Sequence, residues 1–481
     1  MRFARALATI GVALFVHGCC GSMQTEPCPA KLGAPVPEKA LDRVHAEIAA
    51  RNDGKLYAGA AMVDITTDLA RAKKGIYLGG FDMGRRNKGV RDPVYAHALY
   101  LDDGREPLVV VSLDVIGFMN DDVRLVRALA SDRHREAIVI ASTHDHVGPD
   151  TIGYWGPALG GYLPVCPGRV PEYMTLVRHL TARAIDEAAK SARPVRLRPG
   201  TGPVDPTLSL NIHPEIRKQK DDVVRVLAIE DAADGKPVAV LANWGCHAEA
   251  MWNDDQLSAD WPGVFYRRWQ AEVGGVPVFV EGALGGLVSP NPGDEKMAKA
   301  PEIMDVFLEH MSTAERVALM ERVGNGFFDA VRAVVAGATR TYGPEGVTLK
   351  VASKRIELIQ DNWVFDYMGK RRLIRRDATY RGGTTVLSSD IVAARIRAGG
   401  EVIADLATVP GEPTPPLVAE IDATSPAPVR FTVALGNDEV GYIVREADWD
   451  LAIYEYERQM SLGKPTGSVV LGAIKDLRSG L

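Results

Sequence analysis

The 481-residue chain is long enough for about three average domains or for one large domain with insertions. Its 46% of hydrophobic and 25% of charged residues are typical of folded globular proteins and exclude disordered, collagen-like and coiled-coil classes. The net charge of −6 is neither the basic excess of a nucleic-acid-binding protein nor the acidic excess of a solvating tail, so we predict no nucleic-acid partner. The 47 glycines and 30 prolines predict a fold rich in loops.

The N-terminal segment resembles the signal peptide of a bacterial lipoprotein. Basic residues precede an apolar run over 6–16 that is too short to span a bilayer, and a small residue stands directly before Cys19. We predict a lipoprotein-type signal peptide over 1–19, lipidation of Cys19, and a tether over 20–55 with a short helix at 37–52. The chain is then exported and anchored to a membrane, in the periplasm, at the outer membrane or at the cell surface. An ordinary secretory signal is the alternative.

Residues 56–481 show no repeat and no long linker, which predicts one large domain with loop insertions. Amphipathic stretches such as 173–192 and 261–273 alternate with short β-branched runs that each end in a polar or Gly/Pro-rich loop. These runs lie at 108–113, 137–141, 237–242, 276–280, 402–409 and 431–435. The alternation predicts an α/β fold with a parallel or mixed sheet flanked by helices. Ligands of such sheets bind beyond the carboxyl ends of the strands, where nearly every unusual polar residue of this chain falls.

Two histidine loops follow two of the predicted strands. His144 and His146 are separated by one residue, so in extended backbone they point the same way, and one can bind a metal while the other faces substrate. His247 follows a second strand. Zn²⁺ accepts imidazole and carboxylate ligands and needs three or four of them, and Glu412, in a turn stiffened by flanking prolines, is the candidate carboxylate. Loop histidines with hydrogen-bonding roles and a solvated Glu412 are the alternatives.

Five short motifs, taken in order, resemble the neutral/alkaline (non-lysosomal) ceramidases, a family of zinc amidohydrolases. They are Thr-His-Asp-His-Val-Gly-Pro at 143–149, His247 at the end of its strand, Val-Ser-Pro-Asn at 288–291, Pro-Gly-Glu at 410–412 and Gly-Tyr-Ile at 441–443. The resemblance extends from about residue 56 to the C-terminus. It implies zinc bound by His144, His247, Glu412 and Tyr442, with His146 and Ser289 facing the reacting amide. The roles of Tyr442 and Ser289 rest on the resemblance alone.

The resemblance also implies a reaction, which is cleavage of the N-acyl amide bond of ceramide or a related lipid or small amide by zinc-bound hydroxide. Zinc lowers the pKa of bound water, and His146 is the candidate to pass a proton to the leaving amine. Asp145 and Val147 depart from the threonine and serine common in the family motif, which leaves the substrate open. Too few residues follow Tyr442 for the C-terminal immunoglobulin-like domain of characterised ceramidases, so we predict none, and helices near 446–460 and 469–477 instead.

Two other functions remain open at this point: a zinc esterase or lactonase on the same fold, and a non-catalytic surface-binding lipoprotein. Trp363, Phe365 and Tyr367 alternate at the period of a strand, which suits core packing or an apolar lip for an acyl chain. The basic cluster over 370–376 suits a solvated helix face or contact with anionic headgroups. Cys166 and Cys246 allow at most one disulfide within the predicted domain.

Overall fold

The computed structural model describes residues 26–161, 163–293, 296 and 310–481. The predicted signal peptide, Cys19 and the start of the predicted tether lie outside the described residues. The α-helices of the described part are α1 (Ala40–Arg51), α2 (Thr67–Arg71), α3 (Asn120–Ala130), α4 (Pro171–Lys190), α5 (Asp260–Glu272), α6 (Thr313–Gly337), α7 (Trp363–Lys370), α8 (Pro415–Asp422), α9 (Glu455–Gln459) and α10 (Thr466–Gly480).

The strands, in chain order, form two large sheets and several short ladders. They are β1 (Tyr57–Asp64), β2 (Gly89–Val90), β3 (Tyr95–Asp102), β4 (Pro107–Leu113), β5 (Ile138–Ser142), β6 (Ala158–Leu159), β7 (Leu163–Pro164), β8 (Arg193–Pro203), β9 (Ser209–Asn211), β10 (Val223–Asp231), β11 (Pro237–Trp244), β12 (Gln256–Leu257), β13 (Val276–Glu281), β14 (Val288–Pro290), β15 (Val347–Gln360), β16 (Ala378–Arg381), β17 (Thr384–Ala398), β18 (Glu401–Thr408), β19 (Glu412–Pro413), β20 (Val429–Val433) and β21 (Tyr442–Ile443). All six predicted strand runs overlap a strand.

The larger sheet has eight strands in the order β13-β11-β10-β8-β1-β3-β4-β5. Its β4–β5 and β11–β13 pairs are parallel and the other pairs are antiparallel, so the predicted mixed sheet is confirmed. The sheet coils so strongly that its edge strand β13 lies close to β4 and β5 at the opposite edge. The ends of β5 and β11, which precede the two histidine loops, therefore meet although they are distant in strand order.

The second sheet has the order β15-β17-β18-β20, with β16 beside β17. It packs face to face on the larger sheet through a buried apolar layer, in which Leu227 and Leu241 of the larger sheet meet Val392, Leu406 and Phe431 of the second. Helices α1, α3, α4, α5 and α6 cover the outer face of the larger sheet, and α8 and α10 cover the outer face of the second. The result is a four-layer α/β arrangement, flanked by helices as predicted.

Local capping explains where several helices begin. The Asp186 carboxylate, on α4, accepts the backbone N–H of Ala40 at 2.7 Å and so satisfies a free donor at the start of α1. Ser312 and Glu315 form a reciprocal capping box at the start of α6. At α7, the Asn362 side chain accepts the N–H groups of Val364 and Phe365.

The strand-period interpretation of residues 363–367 is wrong, because these residues form the helix α7. Positions i and i+4 are also neighbours on a helix, so the spacing of Trp363 and Tyr367 fits both a strand and a helix. The Asn362 side chain caps the N-terminus of this segment and so favours the helix. Trp363 is 72% exposed, whereas Phe365 faces the cavity described below.

The described residues after β21 are helical or irregular and contain no further sheet. The helix predicted near 446–460 is broken into two 3-10 turns, Glu446–Asp448 and Ala452–Tyr454, followed by α9, whereas the one predicted near 469–477 lies within α10. Helix α10 packs on β15 and β17, so the C-terminal segment belongs to the same domain as the second sheet.

The described residues contain neither a membrane-spanning helix nor a bond between Cys166 and Cys246. No helix among them has both the length and the apolar character that crossing a bilayer requires. Cys246 is a free thiol buried after β11. The one disulfide that the sequence allowed within the domain is therefore not formed between these two residues.

Candidate metal centre and active site

The segments that follow β5 and β11 pair with each other and bring the two histidine loops together. Asp145 and Ala248 form a parallel bridge, and the His146 N–H donates to the Ala248 carbonyl at 3.0 Å. The ring centroids of His144 and His247 are 5.0 Å apart as a result. His144 has a φ of 56°, in the left-handed region, and strained backbone of this kind concentrates at functional sites.

Backbone carbonyls set the tautomers of two imidazoles. His144 Nδ1 lies 2.7 Å from the Ile116 carbonyl oxygen, and His247 Nδ1 lies 3.0 Å from that of Val288. Because a carbonyl can only accept, each Nδ1 carries a proton, and each Nε2 is directed into the site. Metal-binding histidines are typically oriented in this way.

Glu412 lies between these two Nε2 atoms. Its Oε2 is 3.5 Å from His144 Nε2 and 3.1 Å from His247 Nε2. Glu412 and Tyr442 are partners across the β19–β21 ladder. Burial raises the pKa of Glu412, but His144, His247 and the neighbouring Tyr442 hydroxyl outweigh it and hold this pKa below its usual range. The four residues predicted as zinc ligands are thus in direct contact and are all buried.

Burial and neighbouring charges make the three imidazoles unequal. Burial lowers the pKa of His144 to about 4, with the nearby His247 acting in the same direction. Burial also lowers the pKa of His146 well below its usual range. The pKa of His247 is also lowered by burial, but the carboxylates of Glu249 and Glu412 outweigh this and raise it to about 9. His144 and His146 are therefore neutral at physiological pH, as metal ligation or general-base chemistry requires.

His146 belongs to a second buried group that includes Glu249 and Ser289. His146 Nδ1 is 3.3 Å from Glu249 Oε2, and the Ser289 hydroxyl donates to Glu249 Oε1. Gly80 leaves room for the ring, because a Cβ at that position would lie 2.6 Å from His146 Cγ. Ser289 thus reaches His146 through Glu249, a residue that the sequence analysis missed although it lies only two positions after His247.

The donor set fits a zinc ion. Ring nitrogens of His144, His146 and His247 all lie within 4.8 Å of one another, and all three residues are buried. Both ring nitrogens of His146 lack a hydrogen-bond partner within the chain, a costly arrangement unless a ligand or substrate engages them. Two ligand sets share His144 and His247 and differ in the third member, which is His146 or Glu412. Glu412 touches both shared imidazoles, whereas Nδ1 of His146 faces Glu249.

A cavity opens beside this centre and is mostly apolar. His144, His146, Glu412 and Tyr442 line it at one side. The apolar and aromatic side chains that form most of the rest of its wall are Met119, Ile152, Tyr154, Trp155, Phe365, Met368, Ile374, Leu387, Val440, Tyr456, Met460 and Leu462. Such a wall binds an alkyl chain by removing apolar surface from water.

No protein-family model matches the sequence, and no curated protein matches it. Solved structures do match. The chain is similar to neutral ceramidase from Pseudomonas aeruginosa, with a TM-score of 0.66 and 17% sequence identity over 89% of this chain and 75% of that chain. A ceramidase complexed with C2 matches with the same TM-score and coverage at 18% identity.

The chain has a neutral ceramidase-like fold. The resemblance indicated by the five motifs is thereby confirmed at the level of the fold. Identity below a fifth transfers the fold and not the chemistry, so the roles of the six predicted site residues depend on their own geometry.

Proposed function

We propose that the protein is a zinc-dependent amidohydrolase that cleaves the N-acyl amide bond of ceramide or of a related lipid or small amide. The observation that carries the proposal is the convergence of His144, His247 and Glu412 on one point at the side of an apolar cavity. The neutral ceramidase-like fold supports it. An apolar cavity beside a nitrogen and carboxylate donor set suits a substrate with a reactive polar group attached to an alkyl chain.

His144, His247 and Glu412 would hold the metal through Nε2, Nε2 and Oε2, with Tyr442 as the fourth member of the group. Bound zinc supplies an activated water and polarises the scissile carbonyl. The Ile116 and Val288 carbonyls fix the two imidazole rings, so each Nε2 would stay directed at a bound metal.

His146 is the residue that moves a proton. Its Nδ1 faces the Glu249 carboxyl group, which leaves Nε2 for the substrate side of the cavity. A neutral imidazole at this place accepts a proton from the nucleophile and returns it to the nitrogen of the leaving amine. Ser289 keeps Glu249 in place by its hydrogen bond and acts as a positioning residue.

Metal analysis of purified protein lacking residues 1–19 tests the metal centre. We expect about one zinc per chain, lost in a His144→Ala, His247→Ala double variant. A His179→Ala variant, whose ring contacts the Pro35 carbonyl away from the site, serves as the matched control. Absence of stoichiometric metal from the parent, even after zinc reconstitution, contradicts the proposal and favours a non-catalytic binding lipoprotein.

Paired substrates test the bond that is cleaved. Matched N-acyl amides and esters with the same alkyl chains are offered to the zinc-loaded protein. Faster release of the fatty acid from the amide, on kcat/KM, supports the amidohydrolase. Turnover of the ester alone assigns the centre to the esterase alternative, since an activated water attacks either carbonyl.

Export and lipid anchoring at Cys19 are part of the proposal and rest on the sequence pattern of residues 1–19. Expression of the full chain with Cys19 intact and with Cys19→Ala, followed by membrane fractionation and mass measurement, tests them. We expect a diacylglycerol-sized mass increase and membrane association that depend on Cys19.

A further inference from the structure

Glu439 is a buried carboxyl group in the wall of the cavity for which the reaction described above has no use. It lies in the loop between β20 and β21, is 7% exposed, and lines the same cavity as His144, Glu412 and Tyr442. Its aliphatic part packs against Gly117, where an added Cβ would lie 2.9 Å from Glu439 Cγ. The side chain is therefore held in one place by close packing.

The two oxygens of Glu439 differ in their partners. Oε1 accepts the backbone N–H of Gly441 at 2.8 Å, which anchors the carboxyl group to its own loop. Oε2 is buried and has no hydrogen-bond partner within the chain. A buried carboxyl oxygen without a donor is unfavourable by about 1–3 kcal/mol, so such an oxygen in a cavity wall marks a place where a ligand supplies the donor.

A cation in the cavity wall, Arg376, forms its hydrogen bonds with Asp438 and not with Glu439. Arg376 lines the cavity too, but both of its terminal nitrogens engage Asp438 in a bidentate pair, and Asp438 also accepts the N–H of Asn120. The Arg376 charge is thus paired with the Asp438 carboxylate. Its presence in the wall also disfavours a cationic ligand group near Glu439, which leaves a neutral donor such as a hydroxyl group.

We propose that Glu439 forms a polar subsite that binds a hydroxyl group of the substrate, so that the enzyme prefers hydroxylated N-acyl amides over their deoxy analogues. The inference rests on the proposed hydrolase function and adds a specificity determinant to it. A site built to bond a hydroxyl group rejects the analogue that lacks it, because its own buried polar atom then stays unpaired.

Burial supports this role. Desolvation, and the negative charge of Glu412 nearby, hold the pKa of Glu439 well above its usual range. A carboxyl group accepts a hydrogen bond from a hydroxyl group whether or not it is ionised, so the subsite does not depend on its charge.

The test compares three soluble N-octanoyl-type amides on the full-length, zinc-loaded protein. One carries a hydroxyl group on the amine half next to the amide, one carries it on the acyl half, and one carries none. The parent is compared with Glu439→Leu, with Glu439→Gln as the conservative variant, and with Glu401→Gln as a matched control at an exposed ion pair with Arg340. Both kcat/KM and the affinity measured by calorimetry are recorded for each compound.

We expect the parent to prefer one hydroxylated compound by about 10- to 100-fold in kcat/KM, and the preferred compound identifies the half of the substrate that carries the group. Glu439→Leu abolishes the preference, Glu439→Gln keeps part of it because the amide still forms hydrogen bonds, and Glu401→Gln keeps all of it.

Two results overturn the inference. One is an equal kcat/KM of the parent for all three compounds, and the other is an equal fall of kcat/KM for all three in Glu439→Leu. If the parent hydrolyses none of the amides, the hydrolase proposal fails by itself. In that case the affinities measured by calorimetry still test the role of Glu439. Tighter binding of a hydroxylated compound by the parent, lost in Glu439→Leu, supports it.

Discussion

Asn437 closes the free edge of β5 by a reciprocal pair of hydrogen bonds with Ile140. The Asn437 N–H donates to the Ile140 carbonyl at 2.7 Å, and the Ile140 N–H donates to Asn437 Oδ1 at 3.0 Å. This contact attaches the loop that carries Glu439 and leads to Tyr442 to the strand that precedes His144. One asparagine therefore links the segment after β20 to the first histidine loop.

Asn437→Ala is expected to lower the free energy of unfolding by about 2–3 kcal/mol. The Ile140 N–H loses its buried acceptor, and alanine is strained at the φ of 67° that asparagine tolerates. Chemical denaturation measures the effect. Asn437→Gly also loses the acceptor but tolerates this φ, so the difference between the two variants measures the backbone strain. An alanine variant as stable as the parent shows that the contact is not needed.

His146→Ala separates the two possible ligand sets. Because Nδ1 of His146 faces Glu249, we expect the variant to retain zinc and to lose about 10²- to 10⁴-fold in kcat, the usual contribution of a general acid or base. His247→Ala is expected to lose zinc itself. Elemental analysis beside kinetics provides both readouts. Loss of zinc from His146→Ala assigns this residue to the metal in place of Glu412.

Ser289 and Glu249 are expected to act as one unit. Among the contacts of the described residues, Ser289 is linked to His146 only through Glu249. We therefore expect Ser289→Ala and Glu249→Gln each to lower kcat by about 10- to 100-fold while the zinc content stays unchanged. The double variant is then no worse than Glu249→Gln alone. If the fall in kcat of the double variant equals the product of the two single falls, Ser289 instead contacts the substrate independently of Glu249.

Gly80→Ala is expected to impair turnover through His146. The new Cβ meets His146 Cβ and Cγ at 2.6 Å and displaces the imidazole, so kcat falls while zinc stays bound. Gly84→Ala is the control, since Gly84 also has a positive φ, of 77°, but an added Cβ there lies 3.7 Å from the nearest atom. Both variants lose some stability from the strained φ. Equal activity in the two variants contradicts the steric argument.

Asp260 makes stability depend on pH. Burial raises its pKa to about 7, although the carboxylate accepts the N–H groups of Ala250, Met251 and Trp261. The unfolded chain titrates near the ordinary value, about 3.9, so the folded state binds the proton more tightly and unfolding releases it. The stabilisation is fully present below about pH 4 and is lost as pH rises through about 7.

The contribution of Asp260 amounts to about 4 kcal/mol across that window if the whole shift is realised. Asp260→Asn does not titrate, so its free energy of unfolding changes less between pH 4 and pH 7 than that of the parent. Urea denaturation at several pH values measures both curves. Parallel curves for parent and variant mean that the Asp260 carboxyl group is ionised throughout.

Much of the fold was predictable from local patterns. The runs at 137–141 and 237–242 form β5 and β11, and the stretches at 173–192 and 261–273 form α4 and α5, because periodicity and end signals lie within each segment. The segment 363–367 was mispredicted, since its apolar spacing fits both periods and the deciding Asn362 cap lies outside the pattern.

The sequence alone determined the α/β class, the strand ends that precede His144 and His247, and the tight bend that precedes Glu412, because these depend on neighbouring residues. The tertiary structure alone decided that β5 and β11 meet, that Glu249 and Ser289 stand behind His146, and that Glu439 faces the cavity with a free oxygen. Ser289 and Glu249 are 40 positions apart in the sequence, and His144 and His247 are more than 100 positions apart. These contacts arise from the coiling of the sheet and the packing of whole layers, which no local pattern encodes.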